Sequence, residues 1–164
     1  MFAHRRSGLL IGLALLVLSS GLTSGGAASS NAINQRIAIE EKSTATASGA
    51  GTFRLIPLTT GPIKADSGTF TWTGGPSGSP AIRRGQTVTM YKGVDTLHGK
   101  HGTLRIPNIT FAVDAGGGYG TATQSWSIAG GSGAYAHLSG GGAGANVATP
   151  KGIVFGRYEG YAKR

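Results

Sequence analysis

Cysteine is missing from all 164 residues. Its absence excludes disulfide staples, thiolate metal sites, a cysteine nucleophile and lipid attachment at a cysteine behind an export signal. Negative charge is scarce as well: six Asp and Glu stand against 15 Lys and Arg. Paired-carboxylate glycoside hydrolysis therefore has few residues to draw on. Aromatics make up only 7% of the chain. No stripe of Lys and Arg is interleaved with them, which argues against a nucleic-acid surface. The serine elbow Gly-x-Ser-x-Gly does not occur, so hydrolysis by an activated serine lacks its usual frame. Helical periodicity is also wanting, because no useful stretch after residue 45 repeats apolar residues at i, i+3 and i+4.

The apolar run Leu9–Leu18 is too short to cross a bilayer, which takes roughly 20 residues. It follows the basic cluster His4-Arg5-Arg6 and precedes small residues that include Gly25-Gly26-Ala27-Ala28. These are the three parts of a secretory signal peptide, read here over residues 1–28. The expectation is an exported protein, extracellular or in the cell envelope, with no stable membrane span after cleavage. About 136 residues remain, one domain with a core of its own. The chain's formal charge is +9, and +7 once Arg5 and Arg6 are gone. Such a charge would favour an anionic cell-envelope polymer as partner.

Glycine is what the chain has in excess, 30 residues without a strict three-residue period. Between the glycines, apolar residues recur at period two. Phe70 and Trp72 alternate with threonines, as do Val88 and Met90. Ile109, Phe111 and Val113 alternate with Thr110 and Ala112, and Trp126 and Ile128 with serines. One face is apolar and the other small or hydroxylated, the signature of strands. The form Gly-Thr-apolar-x-apolar recurs at Gly51, Gly68 and Gly102, separated by 17 and 34 residues, about one or two strand-plus-turn units. Residues 29–50 read as a leader, a linker or a first strand, and residues 51–164 as the folded domain. Seven or eight strands joined by glycine turns predict an all-β, small antiparallel β-barrel, lipocalin-like in architecture. Closure removes the edges that a cysteine-free exported sheet could not leave open.

The most distinctive segment is Trp126-Ser127-Ile128-Ala129-Gly130-Gly131-Ser132-Gly133-Ala134-Tyr135. It resembles the glycine-turn signature of the allene oxide cyclase and dirigent barrel-like families. Phe155-Gly156-Arg157-Tyr158-Glu159-Gly160-Tyr161 looks like the closing strand of their secreted bacterial relatives, and Thr87–Gly93 with Lys100–Leu104 looks like an upstream pair. The resemblance implies an eight-stranded barrel with a central cavity, and a cyclase-like or dirigent-like steering of a bound molecule's reaction. Homo-oligomers are common in those families. No functional residue carries over beyond the glycine turn. A dinucleotide fingerprint, Gly131-x-Gly133-x-x-Ala136, is rejected because no helix and no βαβ unit follows it.

The candidate chemistry comes from few residues. His98-Gly99-Lys100-His101 reads as a hairpin tip rather than a metal pair, and neither a metal nor a cofactor is expected. Asp66 and Asp114 adjoin glycine turns and read as turn formers. Asp95 and Glu159 fall inside strands. If Phe155 and Tyr161 point inward, Arg157 and Glu159 follow them, and Asp95, Arg157 and Glu159 become the catalytic candidates. The other reading makes Arg157 and Glu159 an external ion pair. Phe70, Trp72, Tyr91, Phe111 and Trp126 are the candidate ligand contacts, with Tyr135 and Tyr161. If all the large aromatics turn inward they fill a narrow barrel; a cavity needs small residues on the inner face. Asn108-Ile109-Thr110 matches a glycosylation sequon. The expected function is binding of a small apolar or aromatic molecule. A non-catalytic envelope barrel acting through its basic surface, or one with a purely structural role, is the alternative.

Overall fold

The computed structural model describes residues 34–44 and 49–164. The expected signal peptide lies outside the described residues. Nine strands follow in order: β1 (Gln35–Thr44), β2 (Ala50–Pro57), β3 (Asp66–Pro76), β4 (Ala81–Arg83), β5 (Gln86–Gly99), β6 (Gly102–Gly116), β7 (Tyr119–Ile128), β8 (Ser139–Ala148) and β9 (Ile153–Lys163). Every pairing is antiparallel. Each strand lies beside its sequence neighbour, except that β3 pairs with β5 and the short β4 takes the same edge of β5 further along. The ring closes where β9 pairs with β1, from Gln35 opposite Ala162 to Thr44 opposite Ile153. The result is an eight-stranded up-and-down barrel with one additional strand.

The barrel wall begins at Gln35, so the segment left open between leader and first strand supplies β1, and the domain extends N-terminally of residue 51. Glu40 and Lys42 face outward on it while Ile37, Ile39 and Glu41 face inward. Strand alternation outweighs the four-residue spacing of Ile33 and Ile37, because this edge completes the ladder to both β2 and β9.

The inner face changes character along the barrel axis. Toward one end it carries Ile37 and Ile39 of β1, Leu55 of β2, Leu97 of β5, Leu104 and Ile106 of β6 and Ile128 of β7, all buried. Fully burying one such side chain stabilises the fold by about 1.5–3 kcal/mol. Two segments seal this end. Gln35 Nε2 donates to the carbonyls of Thr59 and Ile63, and Ile63 N–H donates back to Gln35 Oε1 at 2.8 Å. The glycine turn after β7 forms a single 3₁₀ turn, Gly133–Tyr135, that buries Tyr135 and precedes the buried Leu138. Asp66 ties that turn to the β5–β6 hairpin. It accepts the Tyr135 hydroxyl at 2.5 Å and the backbone N–H of Ser67, Lys100 and His101. Asp66 thus anchors two loops at once, which exceeds the local turn role expected of it. Asp114 does act locally, accepting Gly116 N–H at 2.8 Å.

Candidate functional site

Toward the other end the same inner positions turn polar. Continuing the pleat from Ile37 and Ile39 brings Glu41 inward; from Leu97 it brings Asp95, and from Leu104 and Ile106 it brings Asn108 and Thr110. Trp126 and Ile128 are followed in phase by Gln124 of β7, Asn146 of β8 faces Gly156 of β9, and Tyr158 of β9 also points inward. Of these, Glu41, Asp95, Thr110, Gln124, Asn146 and Tyr158 line a cavity of about 200 Å³, with Asn108 behind Asp95. Phe70, Trp72 and Tyr91 supply aromatic walls, and Glu41, Asp95, Thr110, Gln124, Asn146 and Tyr158 supply polar groups. The barrel interior is therefore filled at one end, mainly by Ile and Leu, and open at the other, where inward aromatics wall the cavity instead of filling it.

Glycine makes the room. A Cβ on Gly93 would collide with the Trp72 indole, and one on Gly156 with Tyr158 Oη and Asn146 Oδ1. Both glycines are inner-face positions; Gly93 admits the Trp72 indole from the neighbouring β3, and Gly156 the Tyr158 side chain of its own strand.

Asp95 is 4% exposed, and its one direct partner is Asn108, whose Nδ2 donates to Oδ2 at 2.6 Å. Burial pushes the Asp95 carboxyl up to about 7, with the Asn108 hydrogen bond opposing. Burial likewise raises Glu41 well above the usual carboxylate range, the charge of Asp95 raises it further, and the Tyr158 hydroxyl opposes. Tyr158 is itself pushed up, by burial and then by the two carboxylates. Its hydroxyl donates to Asn146 Oδ1 at 2.5 Å, and Asn146 Nδ2 reaches Gln124 Oε1 at 3.4 Å, a weak contact. Gln124 Oε1 also accepts from Thr110 at 2.9 Å. A polar chain therefore runs around the cavity from Thr110 to Tyr158, next to Glu41. Asp95, which titrates near 7, can give a proton to, or take one from, a molecule bound beside it, and Glu41 is shifted in the same direction.

The candidates read from sequence separate cleanly by phase. Asp95, Phe70, Trp72 and Tyr91 line the cavity. Trp126 is inside but 5% exposed and packed in the apolar end, and Tyr135 sits at the sealed end as described. Four assignments are corrected. Phe111 and Tyr161 face outward, 45% and 53% exposed. Arg157 and Glu159 are on the outer wall, where Arg157 bridges Glu40 at 2.5 Å and Glu159 at 2.9 Å. Arg36 and Arg54 extend that network to Glu159 and Glu40. The reason is common to all four: β6 and β9 keep their phase through Leu104–Ile106 and Tyr158–Ala162, so the odd-numbered aromatics must face solvent. Asn108 is 5% exposed with its amide on Asp95, so in the folded protein the sequon has no surface nitrogen to carry a glycan.

Neither a protein-family model nor a curated protein sequence matches this chain. The site stands on its own geometry. Sequence reasoning missed Glu41, Asn108, Thr110, Gln124, Asn146 and Tyr158. The usable signal was strand phase: each shares its parity with a buried apolar residue or a glycine on the same strand.

Proposed function

We propose that this protein is an exported barrel that binds a small molecule with an apolar or aromatic body in its inner cavity. The observation that carries the reading is an aromatic-walled cavity that also holds two carboxyl groups, the buried Asp95 and the half-buried Glu41. Binding pockets for drug-sized ligands run to about 300–1,000 Å³, so a cavity of about 200 Å³ suits a smaller molecule. Phe70, Trp72 and Tyr91 would hold its body, and the carboxyls its polar group. Steering of a reaction in the manner of the allene oxide cyclase or dirigent families would use Asp95 and Glu41 as the proton-carrying groups, not Arg157 or Glu159. Tryptophan fluorescence tests the binding, because Trp72 lines the cavity and the only other indole, Trp126, is packed in the core. A panel of small phenols and apolar molecules is expected to change the emission of the protein and not that of Trp72→Phe. An unchanged spectrum with every member of the panel would contradict the reading and favour an envelope protein acting through its basic exterior.

A further inference from the structure

We infer that the ligand is an organic cation: a small amine whose ammonium sits between Glu41 and Asp95 while its body packs on Phe70, Trp72 and Tyr91. The inference rests on the cavity-binding reading and adds the chemical class.

Charge placement is the first argument. The chain has only six Asp and Glu in an excess of Lys and Arg, yet two of the six share one cavity of about 200 Å³. Among the described residues no Lys, Arg or His lines it; its other titratable groups there are Tyr91 of β5 and Tyr158 of β9. The basic neighbours in sequence turn away. Lys42 lies over the Phe155 ring on the outer wall, 5.7 Å from its centre, Lys92 is exposed, and Arg157 is held by Glu40 and Glu159. Ionising both carboxyls in this cavity with no cation beside them is costly, so burial favours their protonated forms, and a ligand cation would relieve that cost. An anionic ligand would be repelled.

Hydrogen-bond capacity is the second. Asn108, nine-tenths buried and behind Asp95 rather than on the cavity lining, spends its amide N–H on Asp95 and is left with Oδ1 unpartnered. The Tyr158 hydroxyl is already donated to Asn146 and the Thr110 hydroxyl to Gln124. The region around the carboxyls is thus rich in acceptors, and an ammonium brings three donors. The third argument is the wall itself, since aromatic faces attract cations within about 6 Å of the ring.

Isothermal titration calorimetry on the full chain separates the outcomes, with benzylamine, phenethylamine and cyclohexylmethylamine set against the alcohols of the same skeleton. The amines are expected to bind at least about tenfold more tightly than the alcohols, as hydrogen bonds to charged groups imply. Their affinity should rise from pH 6 to pH 8, because the carboxyls must give up a proton to pair with an ammonium, at most about tenfold per pH unit for one proton. The same proton appears as a binding heat that depends on the buffer's ionisation enthalpy, a readout that needs no variant. Asp95→Asn, close in shape and lacking the charge, should lower amine affinity about tenfold or more and remove most of the pH dependence. Alcohols binding as well as amines, with no proton released, would overturn the inference and leave the cavity reading intact. Failure of both series would overturn the cavity reading with it.

Discussion

At the residue scale, carboxylates in one barrel interior meet opposite environments. Burial pushes Asp66 up, but hydrogen bonds from Tyr135 and from the backbone N–H groups of His101, Ser67 and Lys100 outweigh it and hold the carboxyl below its usual range. Asp95 has one amide partner and ends near 7. The first carboxylate is a fastener and the second a group able to exchange a proton in the physiological range. Tyr135→Phe removes a charge-assisted hydrogen bond from the glycine turn to Asp66 of β3, the carboxylate that also holds the β5–β6 hairpin. It is expected to cost about 1.5–3 kcal/mol in urea unfolding while leaving ligand binding unchanged. An equal loss of binding would mean that the sealed end and the cavity are not separate.

At the element scale, strand phase decides which residues face the cavity. β6 carries apolar residues in both phases, Leu104 and Ile106 in one and Ile109, Phe111 and Val113 in the other. Read locally, the second set is the better strand pattern, and it offers Phe111 as a ligand contact while leaving open which face turns inward. Pairing along the whole of β6 to β5 keeps the pleat unbroken from Gly102 through Val113, so the first set fixes the phase and Asn108 and Thr110 follow it inward. Phe111→Ala should then cost less than about 1 kcal/mol, as exposed substitutions do, whereas Ile106→Ala should cost about 2–5 kcal/mol. Equal losses would contradict the assigned phase. The glycines were legible as strand-entry and turn signals, but Gly93 was not legible as the hollow that admits Trp72, because that partner lies on another strand. Gly93→Ala is expected to drive the Trp72 indole from its place. That should cost about 1–3 kcal/mol, shift the Trp72 emission and weaken ligand binding, with Trp72→Leu restoring stability in the double variant. A Gly93→Ala protein with unaltered emission would contradict the contact.

At the scale of the whole molecule, the all-β class, the antiparallel barrel and its closure were all legible, because period-two alternation and glycine spacing are local and repeated. The cavity was not, since it depends on which of two faces each strand turns inward and on six strands contributing one or two polar residues to a common level. Glu41 and Tyr158 meet there only because β1 and β9 close the ring. This arrangement sets the pH dependence of stability. Asp95 and Glu41 hold their protons more tightly folded than unfolded. Their contribution is therefore fully present below about pH 4, where the unfolded carboxyls are also protonated; for Asp95 it is lost as pH rises through about 7, and for Glu41 as pH rises through its own raised value. For Asp95 the loss amounts to about 4 kcal/mol. Asp66 works in the opposite sense, stabilising above the unfolded value and losing its effect as pH falls through its lowered one. Chemical denaturation between pH 4 and 8 should show stability greatest on the acid side, and Asp95→Asn should flatten that slope. Stability rising steadily from pH 4 to 8 would contradict the burial of these two groups.

The central claim is that the cavity exists to hold a small molecule, and native mass spectrometry of the protein purified from culture supernatant addresses it most directly. The account predicts a species heavier than the bare chain by one small molecule, released on collisional activation, either as purified or after incubation with small aromatic amines. It also predicts that Asp95→Asn and Gly93→Ala lose that species. A bare mass under every condition would contradict the account.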